Sequence, residues 1–337
     1  MFNLTIAPYT ATDDEAAVNL EQHCVQGKSL ALRFRRPTFK ARSDVYENYK
    51  ILTAKAGGNL IGIAAGARKS VQLHGRTVDA VYLYDIRVHP DYRKYGTARQ
   101  LTNAVLEEIG KGADCVYSLI SGENERAIGL ARRSFGAQVI IPLIYCLMPV
   151  YRKFRVDGTC NCANASEIHT RYLNANRSIE FIPPLNEEKL SGYVASIVLP
   201  DAEDGGCSIW TNENILAEEI VNVPRFFRLM RILTMPVRPF IKLPAIPKRN
   251  EIIRSWFLFD FYAKDKMCVR NLLSVVNNLA LSFGRNYLYL LMQSDDPALK
   301  LARKAGFKIF NLQYFFLAKG NDIPSQAERI YLDIRDL

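Results

Sequence analysis

The sequence predicts a mixed α/β chain built from two similar halves, each a mixed, mainly antiparallel sheet flanked by helices. Three observations carry this reading. A run of strand-like segments broken by glycine turns opens the chain, a helix–strand–helix–strand series follows, and the same series returns beyond residue 250. With 337 residues, 49% of them hydrophobic and 23% charged, the chain can bury a separate core in each half.

Residues 2–8 read as a strand, and 13–24 and 28–45, rich in Ala, Leu and Arg, read as helices. Tyr49–Ala56 and Leu60–Val71 form a hairpin, because the intervening Gly57-Gly58-Asn59 supplies the positive φ angles of a tight turn. Thr77–Val88 extends this meander. The period then changes: Leu101, Val105 and Ile109, four apart, mark one face of a helix over 96–110. A short apolar strand at 114–120, a helix at 124–134 and a strongly apolar strand at 139–148 complete the first half.

The stretch after residue 150 gathers Asn, Ser, Thr and charge, which marks a connection. Beyond it come a strand at 255–262, a helix at 269–283, a strand at 286–292, a helix at 297–305 and a strand at 307–318. Sliding the first half by 171 residues places Leu101, Val105, Leu119, Ala127, Leu130, Ala131 and Arg132 on identical residues. A tandem duplication follows, with one unit at 1–150, a linker at 151–189 and a second unit at 190–337.

A net charge of +10 favours an anionic partner, but the sequence has no zinc-finger spacing and no aromatic-basic RNA-binding signature, so nucleic acid is not expected. Seven scattered cysteines argue for reduced thiols, and Cys160-x-Cys162 lacks companion ligands, so no metal site is expected. No apolar run approaches the roughly 20 residues of a spanning helix, and a cytoplasmic location is expected.

The segment Val88-His89-Pro90-Asp91-Tyr92-Arg93-Lys94-Tyr95-Gly96-Thr97-Ala98 runs from a strand end into a helix start. First-turn N–H groups lack intrahelical acceptors and carry the positive end of the helix dipole, so they can hold a pyrophosphate. Gly96 lets the backbone approach it, and Ala98 leaves room for its oxygens. Arg93-x-x-Gly96-x-Ala98 resembles the cofactor loop of the GNAT superfamily of acyl-CoA-dependent N-acyltransferases, and Ile86-Arg87-Val88 resembles the strand end that pairs with the pantetheine arm. Asn124-Glu125-Arg126-Ala127 resembles the start of the next helix in that superfamily, with Asn124 beside the pantetheine.

The resemblance implies acetyl-CoA or another acyl-CoA as cosubstrate, held by Ile86, Arg87, Val88, Arg93, Lys94, Tyr95, Gly96, Thr97, Ala98 and Asn124, with an amine of a small molecule as acceptor. In the second half Met267 and Val269 stand where Gly96 and Ala98 stand in the first, so that half is expected to lack a cofactor loop.

An amine attacks a thioester only when neutral, so a route for its proton is required. Tyr82 and Tyr84, two apart on the strand before the loop, share one face. They are read either as catalytic residues that order water for this proton or as aromatic packing; Asp85 is a weaker alternative base. Many members resembling this chain carry a Tyr proton donor where it has Ala131, which leaves the donor unassigned between Tyr117, Tyr145 and water. The same gap motivates an alternative reading as a non-catalytic acyl-CoA sensor or scaffold. Residues 220–250 hold no acid and interleave Arg225, Arg228, Arg231, Arg238, Lys242, Lys248 and Arg249 with apolar residues. Contact with an acidic membrane surface is weighed there, and a connection packed across the two units is preferred.

Overall fold

The computed structural model describes residues 4–27, 30–236, 240, 242–244 and 246–336. In the first half the elements are β1 (Leu4–Pro8), α1 (Asp14–Gln22), β2 (Ala31–Arg35), a 3-10 segment (Phe39–Val45), β3 (Asn48–Ala56), β4 (Asn59–Leu73), β5 (Arg76–Val88), α2 (Thr97–Ile109), β6 (Cys115–Ser121), α3 (Glu125–Ser134) and β7 (Val139–Pro149). There follow β8 (Asn161–Ala163), α4 (Ala165–Ala175), β9 (Ile179–Glu180), β10 (Tyr193–Val198), β11 (Gly205–Trp210), β12 (Ala217–Asn222) and α5 (Arg225–Thr234). The chain closes with β13 (Ile252–Ile253), β14 (Ser255–Ala263), α6 (Lys266–Ser282), β15 (Tyr287–Gln293), α7 (Pro297–Lys304), β16 (Phe310–Gly320) and β17 (Arg329–Ile330).

Both halves share one 12-stranded sheet, ordered β1-β3-β4-β5-β6-β16-β7-β15-β14-β11-β10-β8. The halves exchange their last strands. β16, from the second half, lies between β6 and β7, while β7, from the first, pairs antiparallel with β15 from Tyr287↔Pro149 to Gln293↔Leu143. Within each half one neighbouring pair is parallel, β5 with β6 and β14 with β15.

Alternation along the strands divides the core. Val81 and Leu83 of β5 face α2 and α3, packing on the buried Leu101, Val105 and Ala131, and Trp256 and Leu258 of β14 face α6 and α7 in the same way. Gly66 on β4 lets α2 sit close, since a Cβ there would stand 2.7 Å from Val105 Cγ1. The opposite face is a single core running across both halves, from Tyr82, Tyr84 and Tyr117 to Phe257 and Tyr289.

Two expectations change. The span 28–45 holds β2 and a 3-10 segment in place of a helix, because β2 pairs with β12 and Arg33 and Arg35 both bind Glu219 across that pairing; Lys28 and Ser29 lie outside the described residues. The stretch 151–189, expected as a linker, carries α4 and the edge strand β8.

Candidate active site

The parallel pairing of β5 with β6 covers only Ala80↔Cys115, Val81↔Val116 and Tyr82↔Tyr117. β5 then bulges, with a register shift against β4 between Ile63 and Ala65 and a left-handed backbone at Asp85 (φ 49°). β6 meanwhile follows β16 on its other side, as far as Ser121↔Tyr314. Ser118 Oγ donates to Leu83 O at 2.9 Å as the strands part. The result is a V whose open arm on the β5 side is Ile86-Arg87-Val88.

The mouth of the V meets the start of α2. Gly96 takes a left-handed conformation (φ 76°) as the residue before the first turn, and it offers no side chain to fill the first-turn N–H groups of Thr97, Ala98 and Arg99. Arg93 folds back so that its Nε donates to Val88 O at 3.0 Å, tying loop to strand. Lys94 and Tyr95 project outward, and Thr97 is fully buried beneath the turn. The equivalent helix start in the second half is different: Asp265 Oδ1 accepts from the N–H of Met267 at 2.8 Å and of Cys268 at 2.9 Å. One helix start is open to an anion, and the other is already occupied by a carboxylate.

Asn124 precedes α3, and its Oδ1 accepts from Ala127 N at 3.1 Å, so its carbonyl side is used in capping. The Arg87 side chain points away from the V, toward Glu21 at 3.5 Å and Asp85 at 3.4 Å, leaving its main chain as the part that lines the opening.

Behind the V lies a buried ionic cluster. Arg36 binds Asp85 at 2.8 Å and Glu21 at 2.5 Å, and Arg42 binds the other Asp85 oxygen at 3.0 Å. Burial opposes the charge on Asp85, but Arg36, Arg42 and Arg87 outweigh it and hold the carboxyl far below its ordinary range. Asp85 is therefore locked as an anion and does not take up a proton near neutrality.

Tyr82 and Tyr84 stack at 5.1 Å on one face, as the spacing requires, and both are buried. The Tyr84 hydroxyl donates to Ser43 Oγ at 2.8 Å, and the Tyr82 hydroxyl donates to Asp336 O at 2.7 Å. Burial pushes both phenols well above their ordinary values. Tyr117 donates to Asp336 Oδ2 at 2.7 Å, so this alternative donor is also engaged. Asp336 and Asp333 share Lys69 at 2.7 and 2.8 Å. Sequence reading missed this C-terminal contribution, which arises from packing alone.

The basic segment packs across the halves only at its start, where Ile220 and Asn222 pair with Leu32 and Ala31 of β2; α5 buries none of its residues, and Arg238 lies outside the described residues. Among the described residues no helix is long and apolar enough to cross a membrane.

Residues 16–137 match the model of the Acetyltransferase (GNAT) family. No curated protein matches the sequence. Among solved structures, the chain resembles Saccharomyces cerevisiae N-myristoyltransferase with bound myristoyl-CoA and inhibitors, at 12% identity and a TM-score of 0.65 over 99% of this chain and 83% of that one. It also resembles a GCN5-related N-acetyltransferase from Anabaena variabilis, at 12% identity and a TM-score of 0.51 over 93% of this chain and 72% of that one. At these identities the likeness is one of fold.

Proposed function

We propose, from the match of residues 16–137 to the model of the Acetyltransferase (GNAT) family, that the protein takes acyl-CoA as cosubstrate and transfers an acetyl or other acyl group to the amine of a small molecule. The observation that carries the reading is the pairing of the β5–β6 V with the open start of α2. Ile86-Arg87-Val88 would hold the pantetheine arm through its main-chain groups. The N–H groups of Thr97 and Ala98 would hold the pyrophosphate, with Lys94 and the outward-facing loop supplying positive charge. The unit 1–150 holds the acyl-CoA, and the unit 190–337 walls the acceptor face. Asp265 on α6 argues against a second cosubstrate there, since a phosphate would meet a carboxylate at the N–H groups it needs.

Tyr82 and Tyr84 serve in this account as positioning residues, because their hydroxyls are committed to Asp336 and Ser43. They fix the floor of the acceptor face. Ala131, buried in α3, supplies no proton donor to the leaving thiolate. That feature also favours the second reading, an acyl-CoA sensor without turnover. Release of free coenzyme A from acetyl-CoA, followed across a panel of primary amines with the amide identified by mass, separates the two. Amine-dependent release supports the enzyme, and tight binding with no amide on any acceptor supports the sensor.

A further inference from the structure

Glu218 and Glu219 are neighbours on β12 and point to opposite sides of its small sheet. Glu219 is matched by two cations, Arg33 Nε at 2.5 Å and Arg35 Nε at 2.6 Å. Glu218 has no such match. Among the described residues its carboxylate receives one side-chain hydrogen bond, from the Tyr289 hydroxyl at a long 3.4 Å. Around it stand the rings of Tyr145 and Tyr289, 4.9 Å apart, and Tyr314, 5.5 Å from Tyr145. A carboxylate set in an aromatic box without its cation, on a residue that is half-buried overall, is the arrangement that receives an ammonium group, by charge and by the ring faces.

The box lies on the same sheet face as Tyr82 and Tyr84. Tyr314 pairs with Ser121 at the open end of the V. We propose that Glu218 with Tyr145, Tyr289 and Tyr314 seats a cationic primary amine as the acceptor, and that Glu218 removes its first proton. This assignment rests on the acyl-transfer reading above. The ammonium gives one proton to the Glu218 carboxylate, and the freed nitrogen lone pair attacks the thioester carbonyl. The carbon–sulfur bond breaks, the second amine proton goes to the leaving thiolate, and the proton on Glu218 returns to solvent. Burial raises the Glu218 carboxyl to about 7, where it exchanges protons at neutral pH. The groups facing it are the phenols of Tyr145, Tyr289 and Tyr314, with Arg42 and Glu123 farther off beyond Tyr314.

Calorimetric titration of the full chain with phenethylammonium and butylammonium, in the absence of acyl-CoA, tests the seat. Saturable binding is expected, strengthening as pH rises through about 7 because the carboxylate then carries its charge. Glu218→Gln is expected to weaken it at least tenfold, and Glu218→Asp, which keeps the charge, to weaken it less; near-ultraviolet dichroism checks that each variant is folded. Unchanged amine affinity in Glu218→Gln, or no saturable amine binding by the native chain, overturns the proposal. A parallel titration with acetyl-CoA, expected to be the same in both chains, fails separately if the acyl-transfer reading is wrong.

A different observation supports a second inference. In α5 and just beyond it, Phe226, Leu233, Ile232 and Met235 are 64%, 60%, 67% and 74% exposed, and Arg225, Arg228 and Arg231 are interleaved with them with no acid from 220 to 250. We infer that this helix docks on an anionic lipid surface, its apolar side chains entering the headgroup boundary and its arginines meeting the lipid charge. Co-sedimentation with vesicles of phosphatidylcholine containing one third phosphatidylserine is expected, with loss on vesicles of phosphatidylcholine alone and at least fivefold weakening in the double variant Phe226→Ser, Ile232→Ser. Equal sedimentation of that variant, or none by the native chain, overturns it.

Discussion

Asp85 and Asp260 occupy the same place in the two halves: each is the left-handed residue, φ 49° and 50°, in the bulge of the strand that leads into α2 or α6. Their surroundings have diverged. Asp85 is gripped by Arg36 and Arg42, whereas Asp260 meets His169 at 3.0 Å. The bulge recurs in both halves, and a bare Gly96 in one against a capping Asp265 in the other is the difference on which the proposal of a single acyl-CoA site rests.

The Arg36 cluster is expected to dominate local stability. Arg36→Met leaves Glu21 and Asp85 buried without their shared cation, a loss of about 3–5 kcal/mol in urea unfolding. The folded pKa of Asp85 is depressed, so its contribution is complete above the unfolded value near 4 and is lost as pH falls below it. Thermal melts in acid should therefore fall less steeply for Asp85→Asn than for the native chain.

The adjacent acids of β12 are expected to respond with opposite signs. Glu219 is lowered to about 2, chiefly by the hydrogen bond from Arg33, so its stabilisation is present above about 4.5 and lost toward pH 2; Glu219→Gln should cost about 1–2 kcal/mol at pH 8. Glu218 is raised to about 7 by burial, so its ionisation opposes folding as pH rises from about 4.5 through 7, and Glu218→Gln should gain about 1–2 kcal/mol at pH 8. Urea unfolding at two pH values checks both.

Tyr84→Phe and Tyr82→Phe should each cost about 1 kcal/mol of stability, the loss of one buried hydrogen bond, and change the rate at saturating acetyl-CoA only a few-fold. A loss of about 10² or more in Tyr84→Phe alone, measured across a pH series, would place its hydroxyl on the proton path.

How far this arrangement can be read from the sequence depends on the range of the interaction. The meander and α2 follow from local signals, the Gly57-Gly58 turn and the spacing of Leu101, Val105 and Ile109. The strand exchange does not, because β7 and β16 are equally apolar and nothing local says which half each will join. β2 is not legible locally for the same reason: Arg33 and Arg35 lie on one face of the strand and bind Glu219, a partner far along the chain. The cofactor loop is contiguous and so could be found in the sequence, whereas the box of Tyr145, Glu218, Tyr289 and Tyr314 draws on four separate strands.

Met267→Gly is expected to leave acetyl-CoA stoichiometry unchanged, because Asp265 still fills the N–H groups of Met267 and Cys268 at the start of α6. A second equivalent of cosubstrate bound by this variant would show that side-chain bulk, and not the carboxylate cap, closed that half.

Calorimetric titration of acetyl-CoA into the native chain and into Gly96→Asp tests the central claim most directly. The native chain is expected to bind one equivalent. The variant should bind at least tenfold more weakly, since it brings a negative charge to the phosphate seat, and should lose only about 1 kcal/mol of stability for a side chain at positive φ. Two equivalents in the native chain, or unchanged affinity in a folded Gly96→Asp, would contradict the assignment of a single acyl-CoA site at the start of α2.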